Sequence, residues 1–278
     1  MGRSPSKKVV ALGVATLVLV AAAGGVVWVR GLFHEPGARR IGSVVEALGA
    51  HSIVAVFAHP DDEIKVVGLL ADAGRRDVPA RLVSAANGDG GMAPAGVSRT
   101  DLARIRAGEV RRHAVLLGLR TTEVWSYSDA HLAEVPDAEL TARVVARLRA
   151  WQPDTVVTFE PHTGFTAHPD HLRIGAITTA AFCALGGDAH PPRTLLYILA
   201  PRGAARVFGG ARGRLVATRE PAPAWAVHVD PALRLRGWAT HASQAGYVPK
   251  NAHVPAWLLY RLYDDEHYVA LDRAAACH

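Results

Sequence analysis

Cysteine is almost absent from this 278-residue chain: Cys183 and Cys277 are the only two. Two thiols cannot staple a disulfide scaffold. One bond between them is open to an exported chain. The ordinary reading is a buried Cys183 and a frayed, exposed Cys277, neither of them a nucleophile. A phosphate-binding P-loop is also missing. The partial Gly-x-Gly at Gly88 and Gly90 is no dinucleotide fingerprint, because Pro94 and Ala95 interrupt the expected helix start. No zinc finger and no basic segment interleaved with aromatics is present, which argues against nucleic-acid binding. Of the formal net charge of +6, +5 falls within the first 40 residues. The basic balance therefore belongs to the flanks of one apolar segment rather than to a polyanion-binding face. There is no internal repeat or low-complexity domain, and no signal for oligomeric state.

Only one long apolar run exists. Residues 9–29 carry no charge, and Thr16 is their one polar side chain. At about 1.5 Å per residue such a helix crosses a bilayer. Arg3, Lys7 and Lys8 precede it, so a membrane anchor with an extracytoplasmic catalytic domain is expected. Ala21-Ala22-Ala23 offers cleavage as a secreted alternative. The expected division is an anchor or signal over residues 1–30, a linker and short helix over 31–50, and one catalytic domain over 51–278.

Apolar strands are expected at residues 53–57, 80–85, 124–125, 155–159 and 224–229. Helices are expected at 41–48, 63–73, 99–117, 137–150 and 231–243, and a Gly- and Arg-rich hairpin at 203–218. Strands alternating with helices predict an α/β fold: a Rossmann-like, mostly parallel sheet with helices on both faces, preceded by one transmembrane helix. Active sites in such folds lie beyond the C-terminal strand ends.

Two polar clusters fall there. Ala58-His59-Pro60-Asp61-Asp62-Glu63 follows the strand ending at Phe57, and His168-Pro169-Asp170-His171 follows the one ending at Phe159 by a loop. His59, Asp62 and His171 make a two-His, one-carboxylate set that leaves a zinc ion an open position for water. Helix capping alone would not need both Asp61 and Asp62. Asn87-Gly88-Asp89-Gly90 follows the second strand and by itself reads as a turn, with Gly supplying positive φ. Arg106 and Glu109, three apart on a helix, read as an ion pair.

The ordered set of motifs, with His241-x-Ser243-Gln244 late in the chain, resembles the LmbE-like, or PIG-L, family of zinc-dependent N-deacetylases over about residues 51–270. The resemblance implies Zn2+ held by His59, Asp62 and His171, with Asp61 as general base. It assigns His168 to the developing oxyanion and Asp170 to orienting a neighbouring His. Candidates for substrate contact or support are Asn87, Asp89, Arg106, His162, His241 and Gln244. The implied reaction removes an N-acetyl group from an N-acetylglucosamine-type sugar or glycoconjugate, and either Asp61 or His168 would protonate the amine. Phe165-Thr166-Ala167 departs from the family's Gly-rich approach, so substrate preference does not transfer with the metal chemistry. An amidase acting on a thiol conjugate or secondary metabolite is the nearest alternative. A noncatalytic carbohydrate-binding protein is the alternative of another class.

Overall fold

In a computed structural model, residues 7–277 are described, with side chains from Thr16 onward. Among them, one eight-stranded sheet forms the centre. In chain order its strands are β1 (Arg39–Ile41), β2 (Ile53–Phe57), β3 (Ala80–Ala86), β4 (Thr121–Tyr127), β5 (Thr155–Phe159), β6 (Thr194–Leu199), β7 (Trp225–His228) and β8 (Asp265–Leu271). Their spatial order is β1-β7-β8-β6-β5-β2-β3-β4. β2 and β5 are buried at every position, as continuous apolar runs in a covered parallel sheet should be.

The helices are α1 (Lys7–Leu32), α2 (Val44–Leu48), α3 (Val67–Arg75), α4 (Arg99–Leu116), α5 (Asp137–Trp151), α6 (Gly164–Ala167), α7 (Pro169–Ala184), α8 (Arg202–Phe208), α9 (Gly210–Arg219), α10 (Pro231–Thr240), α11 (Tyr247–Ala252), α12 (Ala256–Leu262) and α13 (Arg273–Ala276). The chain moves outward from β2 through β3 to β4, then returns to β2's other side with β5 and β6. The gap between β2 and β5 is thus a topological switch point, the place where such sheets open a crevice.

The expected fold class needs correction on two counts. First, the sheet is mixed. β8 runs antiparallel to both β6 and β7, because the chain re-enters from α12 at the opposite end. Second, no helix among the described residues is long and apolar enough to cross a membrane. The described apolar stretch, residues 16–29, covers roughly 20 Å against a hydrocarbon core of about 30 Å. Residues 9–15 of the expected span lie outside the residues whose side chains are described. The transmembrane anchor is withdrawn, and with it the extracytoplasmic placement and the membrane partner. The end of α1 is stitched to the domain: Arg30 pairs with Asp264 at 2.6 Å, and Phe33 stacks on Tyr263.

Three local expectations also change. Residues 203–218 form α8 and α9 instead of a hairpin. Gly209 and Gly213 let the two helices touch, since a Cβ on either would collide with the Ala205 carbonyl oxygen. The glycines mark a close approach of two helices and the turn that joins them, not a strand hairpin. Residues 62–66 form a 3₁₀ turn before α3, and Glu266 on β8 caps α3 by accepting from Gly68 N (2.8 Å) and Leu69 N (3.2 Å). Finally, Cys183 and Cys277 are joined in a disulfide, with Cα atoms 5.6 Å apart. The frayed C-terminus is thereby pinned to the end of α7.

Candidate metal centre and its cavity

Buried side chains from four elements converge at the switch point. His59 leaves the end of β2, Asp62 opens the 3₁₀ turn, His171 stands in the first turn of α7, and Asp129 follows β4. His59 Nδ1 lies 3.3 Å from His171 Nε2 and 3.5 Å from Asp62 Oδ2, and His171 Nε2 lies 3.3 Å from Asp62 Oδ1. Four ligands about 2.0–2.1 Å from a zinc ion in tetrahedral array stand roughly 3.3 Å apart. The two imidazole nitrogens fit that spacing, and each faces a different oxygen of Asp62, Oδ2 toward His59 and Oδ1 toward His171.

Each imidazole is turned by a partner on its far side. His59 Nε2 faces Asp170 (3.2 Å) and Asp129 (3.1 Å), while His171 Nδ1 donates to the Gly164 carbonyl at 2.9 Å. With those nitrogens protonated, Nδ1 of His59 and Nε2 of His171 keep their lone pairs for a metal. Asp170 is fully buried and also accepts from Ala130 N and Leu132 N, so it locks the β4 loop to α7. Lys65 Nζ, 2.7 Å from Asp62 Oδ1, balances the excess of carboxylates. Burial works against ionisation at His59 and Asp62 alike. His171 and Lys65 hold the Asp62 carboxyl well below its ordinary pKa.

Asp61 has φ of 123°, a conformation rare for a side-chain-bearing residue. Its amide donates to Glu63 Oε2 at 3.0 Å, and its Oδ2 accepts from Arg106 Nη2 at 2.8 Å. Burial pushes the Asp61 carboxyl up, against the pull of Arg106. Arg106 also donates to the carbonyls of Pro60 (2.5 Å) and Gly88 (2.9 Å). That contact explains the glycine run: Gly88 has φ of +74°, and a Cβ there would stand 2.7 Å from the guanidinium. Glu109 turns away from Arg106 and accepts instead from Ser243 N and Oγ, at 2.7 and 2.6 Å.

His168 caps α7, its Nδ1 accepting from Asp170 N at 3.2 Å. The proton of a neutral imidazole then sits on Nε2. Burial, together with His171 and His59, lowers its pKa to about 4. His168 is thus a neutral hydrogen-bond donor at pH 7.

A cavity of about 520 Å3 opens over this cluster and is walled by Asp61, His59, His168 and His171, with Gln244 and Trp238 from the C-terminal segment. Other sequence candidates sit behind it. Asn87 closes a turn onto Asp89 N, and Asp89 accepts from Ser128 Oγ and Asp129 N. His241 is buried against Glu63 at 2.6 Å. His162 is exposed and does not line the cavity. Gln244 ties the Met92 backbone by two hydrogen bonds.

Sequence reading missed Asp129, Lys65 and His113. Asp129 could have been found, because it follows the end of β4 as His59 follows β2. His113 donates to Glu63 Oε1 at 2.7 Å from the middle of α4, and nothing in its neighbours signals that.

Residues 54–182 match the family model described as PIG-L, GlcNAc-PI de-N-acetylase. A probable N-acetyl-alpha-D-glucosaminyl L-malate deacetylase 2 of Bacillus anthracis is 29% identical over 50% of this chain and 62% of its own length. A 1D-myo-inositol 2-acetamido-2-deoxy-alpha-D-glucopyranoside deacetylase of Corynebacterium kroppenstedtii is 29% identical over 70% of this chain and 58% of its own. The chain thus spans about three-fifths of the length of these curated relatives. Among solved structures, N,N'-diacetylchitobiose deacetylase from Pyrococcus horikoshii has the same fold, with a TM-score of 0.64 at 19% identity over 83% of this chain and 87% of that one. The motif order and the switch-point cluster agree with that match: over residues 54–182 the chain is similar to the PIG-L, or LmbE-like, family.

Proposed function

We propose that this protein is a zinc-dependent N-deacetylase that hydrolyses the acetamide of an N-acetylglucosamine-type sugar or glycoconjugate. The observation that carries the reading is the spacing of His59 Nδ1, Asp62 and His171 Nε2 at 3.3–3.5 Å, with Asp61 on the same cavity. These three residues would hold the ion. When bound, zinc would polarise the acetyl carbonyl and lower the pKa of water. The names of the relatives supply the substrate class.

The chain's own groups do the rest. Asp61, held by Arg106, accepts the proton of the attacking water. His168 Nε2–H donates to the acetyl oxygen as charge gathers on it. His168 is neutral at pH 7, so Asp61 is the group that returns a proton to the departing amine. Acetate and a free amine leave.

The test is amine release from a panel of N-acetylglucosaminides, with zinc content measured in parallel. Activity lost on chelation and restored by zinc at one ion per chain is the expected result. Full activity in a metal-free protein would refute the proposal.

A further inference from the structure

We propose that Trp238 and Tyr247 form a subsite for a second ring attached to the acetamido sugar, recognised by its apolar face. The inference rests on the deacetylase reading and names the substrate feature that this chain selects. Both side chains line the cavity that contains the metal-ligand cluster, but they come from α10 and α11, outside the family-matched residues 54–182.

Their rings lie nearly parallel, 12° apart with centroids 5.8 Å apart. The indole N–H is spent inside the wall on the Tyr260 hydroxyl at 2.5 Å. Farther along α11, Asn251 is spent on the Tyr247 carbonyl at 2.8 Å, while Lys250 also lines the cavity. At Trp238 the wall therefore offers a ligand ring face rather than a hydrogen bond. Tyr247 is 45% exposed although it is stacked on one side. An aromatic face left open beside a reaction centre gains by covering another flat apolar surface. Two groups share that chemistry: the C–H face of a second pyranose, and an aryl aglycone.

The zinc-loaded full chain should be assayed with three substrates: methyl N-acetylglucosaminide, N,N'-diacetylchitobiose and phenyl N-acetylglucosaminide. The ring-bearing substrate that fits should exceed the methyl glycoside in kcat/KM by about tenfold. Tyr247→Ala should abolish that ratio, and Tyr247→Phe should keep it. Preference for the chitobiose identifies a pyranose, and preference for the phenyl glycoside an aryl group. A ratio near one in the unmodified protein, or one unmoved by Tyr247→Ala, overturns the subsite. Turnover of none of the three would count against the deacetylase reading instead. Calorimetric binding of the two ring-bearing compounds then decides the subsite alone. Binding weakened about tenfold by Tyr247→Ala sustains it, while no binding or equal binding overturns it.

Discussion

Asp61 shows how one residue is given a role by its neighbours. Its backbone is held at φ of 123° by Glu63, and its carboxylate is aimed by Arg106. It is a base candidate without being one of the three proposed ligands. Asp61→Asn should therefore lower kcat by about 10²–10⁴-fold while zinc stoichiometry stays at one; loss of zinc along with activity would make Asp61 a ligand instead. Glu220 is a second residue set by its surroundings. It is buried, one oxygen accepts from Ala200 N, and the other has no partner. Burial raises its pKa to about 7. The folded state thus holds this proton more tightly than the unfolded chain, so stability falls as pH rises from about 4.5 to about 7. The cost approaches 3 kcal/mol. Denaturant midpoints across that range should show the decline, and Glu220→Gln should flatten it.

At the scale of elements, the 3₁₀ turn after β2 is braced from behind. Glu63 Oε1 accepts from His113 on α4 at 2.7 Å and from His241 at the end of α10 at 2.6 Å. Its Oε2 holds the Asp61 amide. Despite its burial, the two imidazoles keep the Glu63 carboxyl below the ordinary range, and Glu63 raises His241. Glu63→Gln would leave both imidazoles without an acceptor charge and loosen the amide that strains Asp61. Stability should drop by about 3 kcal/mol. In zinc-loaded protein, kcat should fall more than KM rises, because Asp61 loses its aim rather than the substrate its site. An equal loss in both would reduce Glu63 to a folding role. The motif's last acid stood in the sequence as part of the first polar cluster. Its partners were not legible there, since they lie 50 and 178 residues away.

For the whole molecule, the disulfide closes a loop of 94 residues and fastens the C-terminal segment beside α7. A crosslink of that span stabilises by about 2–4 kcal/mol, chiefly by restricting the unfolded chain. Cys277→Ala should lower the unfolding free energy by that amount with little change in kcat, since the bond lies away from the cavity. Unchanged stability would mean that the unfolded chain is already compact. The same scale explains the mixed sheet. The chain returns from the helices that wall the cavity and inserts β8 between β6 and β7, so the segment that shapes the cavity also completes the sheet.

Alternation of apolar strands with helices, and the position of two His- and Asp-rich clusters beyond strand ends, could be read directly from the residues. Both are local patterns: a buried strand is a short apolar run, and its end is where polar side chains resume. β5 was located to the residue for that reason. The reversal of strand order that brings the two clusters together, the tautomers set by Asp170 and Gly164, and the recruitment of Asp129 and His113 depended on tertiary structure. So did the helical form of residues 203–218, where glycine joins two helices and permits their contact. Each of these rests on groups that meet in space from distant parts of the chain, and no local periodicity records such a meeting.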